Sequence, residues 1–307
     1  MTAEQVDRSK ERRDPVLILT AWLAMVLLPL AGIIGQELLS SDMSWTLWAW
    51  IVVWLVLLML TFVWTTLRPL RGFFLMMLIV SVFDSWLRPL IMETGTWQRW
   101  FGGQGASWAL RELGRQLGRL AVTLVILVAL LLMGLKRRDF FLVKGQLDAP
   151  VEPVKWLGIR RSEPWTHFGR KFAIILSVVL LLFLVLAGKP SLDSLAVMLP
   201  LLPMILIFAA LNAFNEELSY RAALLPQLVP AVGKQHALLI LAAGFGLGHY
   251  YGVPYGVAGV LLAGFLAYIL GKSMLETGGF FWAWFIHLLM DILIFNFEAM
   301  GAVTPGG

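Results

Sequence analysis

A chain that repeatedly strings together about twenty apolar residues has few ways to fold outside a membrane. Residues 16–35, VLILTAWLAMVLLPLAGIIG, form the first such run, and LWAWIVVWLVLLMLTFVW (47–64) and RLAVTLVILVALLLMGL (119–135) follow it. Each approaches or exceeds the ~20 residues that a helix needs to cross about 30 Å of hydrocarbon. None alternates with period two, so the runs read as helices and not as strands of a barrel. Composition agrees, since 59% of the 307 residues are hydrophobic and the mean hydropathy is +0.81, against roughly 45–50% apolar residues in soluble domains. The fold class read from these features is all-α, a polytopic membrane helix bundle with eight or nine transmembrane helices. The spans fall near 16–38, 45–66, 72–92, 117–135, 172–188, 203–226, 235–250, 254–271 and 279–297.

Punctuation and charge divide the chain. Segment 136–171 has prolines, mixed charge and no long apolar face. It separates an N-terminal four-span membrane module (1–135) from a C-terminal bundle (172–307), and is expected to be a cytoplasmic basic linker. The net charge of +5 comes mostly from residues beside apolar spans, where orientation in an anionic bilayer explains it better than nucleic-acid binding. Arg8, Lys10, Arg12, Arg13, Arg68, Arg71, segment 136–171, Lys234 and Lys272 put the N-terminus on the cytoplasmic side. The expected location is a bacterial inner (cytoplasmic) membrane. The basic start DRSKERRD leads into a long apolar run instead of a short one with a cleavage site, so the first span is expected to stay as an anchor. One outer segment breaks the charge bias, and its LRELGRQLG (110–118) reads as an amphipathic helix lying in the interface. Asp84 and Arg88, four residues apart in a span, are expected to pair. His167, Glu276 and Glu298, near span ends, are expected to be solvated.

There is no cysteine, which removes thiolate nucleophiles and cysteine-held metals and leaves oxygen and imidazole groups for any chemistry. Those groups concentrate in the last hundred residues. The run LLPMILIFAAL (201–211) passes with no polar linker into NAFNEELSYR (212–221), and FGLGH (245–249) and HLLMD (287–291) follow. Ionisable side chains at bilayer depth are costly unless they face a partner or a wet cavity, so such a cluster is read as functional. Residues four apart share a helix face: Asn212 stacks beneath Glu216, Glu217 reaches Arg221, Phe245 lies under His249, and His287 meets Asp291. With a rise of about 1.5 Å per residue, Glu216 lies roughly 15 Å, His249 roughly 21 Å and His287 roughly 12 Å from the cytoplasmic ends of their spans. A carboxylate and two imidazoles are thus expected at similar depth.

EELSYR, FGLGH and HLLMD, in that order and each in an apolar span, resemble the three signature motifs EExxxR, FxxxH and HxxxN/D of the CAAX protease and bacteriocin-processing (CPBP, or Abi) family of glutamate-type intramembrane proteases. The resemblance covers roughly residues 170–300 and is silent on 1–160. It implies hydrolysis of a peptide bond within the membrane, on a peptide or protein with a hydrophobic or lipidated segment such as a C-terminal or leader signal. Carried over, Glu216 and His249 activate a water while His287 and Asp291 stabilise the oxyanion, with Glu217, Arg221, Asn212 and Phe245 supporting the site. The chain departs from many relatives at Tyr220 and Ala222, and its last motif ends in Asp291 where the prenyl endopeptidases have Asn. The asparagine role carries over only if Asp291 is protonated in its buried site; the favoured alternative is an ionised Asp291 that accepts from His287 and orients it.

Two alternatives stand beside this reading. No cofactor is expected, yet Glu216, His249, His287 and Asp291 are of types that bind zinc, which would activate a bound water. A catalytically idle relative, acting as a membrane scaffold or peptide-binding protein, would use the same residues as a structural network.

Overall fold

The computed structural model describes residues 14–39, 45–103 and 105–303. The basic residues Arg8, Lys10, Arg12 and Arg13, on which the orientation partly rests, and residues 304–307 lie outside the described residues. Among the described residues there is no strand, only the isolated bridges Pro150 to Pro164 and Val154 to Ile159. The protein is an all-α integral membrane protein. Among the described residues, 7 helices are long and apolar enough to cross a bilayer: Pro15–Leu38, Thr65–Met92, Trp108–Leu132, Trp165–Gly188, Leu192–Val232, Val257–Thr277 and Phe281–Gly301.

That count is lower than the eight or nine read from the sequence, and the shortfall lies in two places. Trp48–Val63 is apolar but short. Lys234–Gly248 has 15 residues, under the ~20 that a span needs, because glycines and Pro254 end the regular helix soon after it. The interfacial helix expected at 110–118 is instead the first part of the 25-residue helix Trp108–Leu132, capped by the Ser107 hydroxyl, which accepts from Leu110 N at 3.3 Å. Hydropathy missed this part because Glu112, Arg115, Gln116 and Arg119 interrupt the apolar run.

The chain divides into two compact units. Unit 1 holds residues 1–81 and 224–268. Within it, Pro15–Leu39 packs against Lys234–Gly248, where Trp22 Nε1 donates to His236 Nδ1 at 3.3 Å. Gly246 and Gly264 bring the backbones of Lys234–Gly248 and Val257–Thr277 together, since a Cβ at Gly246 would strike Val260 O.

Unit 2 holds residues 82–223 and 269–307. At its centre, helix α1 (Leu202–Glu217) packs along helix α2 (Phe281–Val303). Trp165–Gly188 covers α2, and Trp108–Leu132 covers α1. The core between them is made by Trp108, Ile205, Phe208, Ala209, Phe295 and Ala299, all buried. Trp108 and Phe208 meet edge to face with centroids 5.9 Å apart. Because lipid is as apolar as these side chains, close packing and polar contacts hold such helices together.

Segment 136–171 is ordered within unit 2 and folds against the turn that joins Val257–Thr277 to α2. Gln146 N donates to Thr277 O at 2.8 Å, Phe280 N to Val143 O at 2.8 Å and Trp282 Nε1 to Leu147 O at 2.9 Å. Gly145, at φ +76°, and Gly279 approach so closely that a Cβ on either would meet the other's backbone. Glu276 departs from its expected solvation: its side chain is buried, paired with Lys272, and accepts from Trp165 Nε1 at 2.9 Å. Its place near a span end suggested solvent, but segment 136–171 covers that end. Glu298 and His167 lie on the surface of the unit.

Candidate active site

Three helices of unit 2 supply the site. α1 carries Asn212, Glu216 and Glu217 on its last two turns. It then passes into a π turn, Leu218–Ala222, in which Ala223 N reaches back to Leu218 O at 2.9 Å. Such one-residue insertions are frequent at functional sites, and here the turn still leaves Arg221 in contact with Glu217. α2 carries His287 and Asp291 one turn apart. Helix Trp108–Leu132 carries Gln116, Arg119 and Thr123.

The two glutamates have different partners. Glu217, fully buried, pairs with Arg221, and its Oε1 also accepts from His287 Nδ1 at 2.7 Å. A carboxylate beside Nδ1 can only accept, so Nδ1 carries a proton and the ring is fixed with Nε2 turned the other way. Glu216 is held by Arg119 Nη1 at 3.0 Å and by Asn212 Nδ2 at 3.3 Å, both on Oε1. Its Oε2 faces His287 Nε2 at 3.7 Å. Asp291 Oδ1 is 3.6 Å from the same Nε2, while its Oδ2 accepts from Asn212 Nδ2 at 3.0 Å.

The predicted residues Asn212, Glu216, Glu217, Arg221, His287 and Asp291 therefore form one buried or half-buried cluster. The expectation for Asp291 changes. The group that orients His287 is Glu217, because Glu217 lies within hydrogen-bond range of Nδ1 whereas Asp291 stands beyond that range from Nε2. Spacing along α2 favoured Asp291, but a partner from α1 lies closer. Glu217 is thus more than the partner of Arg221.

His249 and Phe245 lie in unit 1. His249 follows the last turn of Lys234–Gly248, its Nδ1 is 2.8 Å from Phe245 O, and its ring packs 4.3 Å from that of Phe245. The carbonyl fixes the proton on Nδ1 and leaves Nε2 as the acceptor in the neutral ring. After His249 the chain is tied back within unit 1, where Tyr255 OH donates to Glu37. That hydrogen bond to the carboxylate holds the Tyr255 phenol above its ordinary pKa.

Sequence reasoning missed Arg119, Gln116 and Thr123. Arg119 Nη1 also donates to Asn212 Oδ1, Gln116 Nε2 joins Glu112 Oε1 at 2.7 Å and Asn212 Oδ1 at 3.4 Å, and Thr123 Oγ1 donates to Asn215 at 2.9 Å. The available signal was an arginine inside an apolar run with no acidic residue at helical spacing ahead of it in 120–135.

Among the described residues no group of three or more His, Asp or Glu side chains stands ready to hold a metal ion. The carboxylates of the cluster are directed instead at guanidinium, amide and imidazole groups.

Residues 198–293 match one family. Its model is described as Rce1-like, type II CAAX prenyl endopeptidase Rce1-like. The match bears out the family read from the three motifs. No curated protein and no solved structure matches the chain. The matched stretch includes every motif residue from Glu216 to Asp291, whereas Arg119 lies outside it.

Proposed function

We propose that the protein is an intramembrane endopeptidase that hydrolyses a peptide bond in a substrate carrying a hydrophobic or lipid-attached segment. Similarity of residues 198–293 to the type II CAAX prenyl endopeptidases supports the reaction class. The observation that carries the reading is the unequal treatment of the two glutamates. Glu217 is committed to Arg221 and to His287 Nδ1, while Glu216 presents Oε2 toward His287 Nε2 at 3.7 Å.

In this reading Glu216 takes a proton from water as the water oxygen attacks the scissile carbonyl carbon, and the tetrahedral intermediate collapses as the proton passes to the leaving amine. His287, oriented by Glu217, faces the reacting atoms through Nε2. Asn212 links Glu216 and Asp291 and holds both carboxylates in register. The bilayer is the medium in which such a substrate meets this cluster.

The test is peptide mass mapping with purified protein in proteoliposomes. The panel holds a farnesylated C-terminal peptide, its unlipidated twin and a peptide with a hydrophobic leader. Cleavage of at least one membrane-bound peptide at a single bond is expected. Folded protein that leaves all of them intact would overturn the reading in favour of an idle scaffold.

A further inference from the structure

Arg119 sits about 16 Å from the start of a helix some 37 Å long, so it lies near the middle of a span. Its side chain is 38% exposed, against 15% for Glu216 and 2% for Arg221. Only Nη1 is engaged, by Glu216 and Asn212; Nε and Nη2 make no hydrogen bond among the described residues. A guanidinium left open at bilayer depth is costly unless it faces a wet cavity or a ligand.

The rest of the cluster is poor in donors. Asp291 accepts from Asn212, and Asn212 Nδ2 is shared between Asp291 and Glu216. His287 Nδ1 is spent on Glu217, and its Nε2 faces the carboxylates of Glu216 and Asp291. A hydrolytic site built around Glu216 needs a donor where negative charge develops on the carbonyl oxygen.

We propose, resting on the endopeptidase reading, that Arg119 is a catalytic residue: Nη1 fixes Glu216, and the open Nε/Nη2 edge donates to the oxyanion of the tetrahedral intermediate. No proton leaves Arg119. The carbonyl π electrons move to oxygen as the water adds, Glu216 holds the water's proton, and the guanidinium balances the new charge until the C–N bond breaks. The helix that supplies this group lies outside the segment matching the endopeptidase family, so the front half of the chain completes the site.

The experiment uses the full chain in proteoliposomes with a peptide it cleaves, and compares Arg119→Met, Arg119→Lys, Arg119→Met/Asp291→Asn and Glu216→Gln. Arg119→Met is expected to lower kcat about 10²–10³-fold. KM is expected to stay within about threefold, the signature of an interaction made in the transition state. Arg119→Lys keeps the charge beside Glu216 and guards against misfolding; it is expected to unfold at the wild-type temperature yet lose about tenfold or more in kcat, because an ammonium lacks the fork. Asp291→Asn introduces an amide donor and is expected to recover part of the rate in the Arg119→Met background, as is added methylguanidinium. A purely structural Arg119 would give neither recovery. Wild-type kcat in Arg119→Met, with Glu216→Gln inactive, overturns this inference alone. A wild-type chain that cleaves no peptide overturns the endopeptidase reading and this inference with it.

Discussion

Two regions of unit 2 bury charge in the same local pattern, an acid and a base four residues apart on one helix, and use it differently. Lys272 and Glu276 form a closed set: Lys272 Nζ reaches Glu276 and Glu152 O (2.7 Å), and Trp165 Nε1 completes the carboxylate. Glu217 and Arg221 begin the same way, but Glu217 also holds His287, whose other nitrogen faces Glu216 and Asp291 at 3.7 Å and 3.6 Å. The first arrangement fastens segment 136–171 to its helix. The second gathers three carboxylates, two guanidiniums and an imidazole, and holds some of them short of contact. Equal spacing in the sequence therefore says little about role; what distinguishes the two is whether the partners close on each other.

The largest effect should come from breaking the closed set. Lys272→Met leaves Glu276 buried without its cation, which typically costs about 3–5 kcal/mol. Denaturant unfolding in detergent should show that loss, while cleavage per folded molecule stays at the wild-type rate. A fall in that rate would erase the distinction between the two regions. Glu217→Gln should act on both counts, because the amide loses the charge opposite Arg221 and holds His287 less firmly. A loss of about 10–100-fold in cleavage, the range seen for groups that orient a reacting ligand, is expected. A stability loss of about 1–3 kcal/mol should accompany it.

These contrasts also show what the sequence could reveal. Glu216, Glu217 and Arg221, and His287 with Asp291, were legible because each contact is one helical turn apart and each motif sits inside an apolar run. Arg119 was not, since its contact with Glu216 joins helices far apart in the chain and its neighbours Glu112 and Gln116 read as an interfacial face. Glu276 and Glu298 look alike in sequence, both near span ends, and only the fold of segment 136–171 separates them. The spans were overcounted where apolar runs, such as Lys234–Gly248, stop short of bilayer length. The orientation of His287 was assigned to its neighbour along the helix because a contact from another helix leaves no mark in local spacing.

The smallest expected effect uses that likeness. Glu298 is exposed, so Glu298→Gln should change stability by no more than about 0.5 kcal/mol. Glu276→Gln should cost several times that under the same conditions, because it leaves buried Lys272 uncompensated. Equal effects at both positions would mean that the closed set contributes no more than a side chain on the surface.

The central claim is that Glu216 acts on the reacting water while its neighbour Glu217 builds the site. The most direct measurement is single-turnover cleavage of a membrane-bound peptide by Glu216→Gln, with its unfolding temperature measured on the same preparation. Loss of a general base from a positioned site predicts a rate lower by about 10²–10⁴-fold. The glutamine is nearly isosteric and keeps an oxygen for Arg119, so the unfolding temperature should stay close to that of the wild type. Cleavage by Glu216→Gln at the wild-type rate, in protein of wild-type stability, would contradict the account.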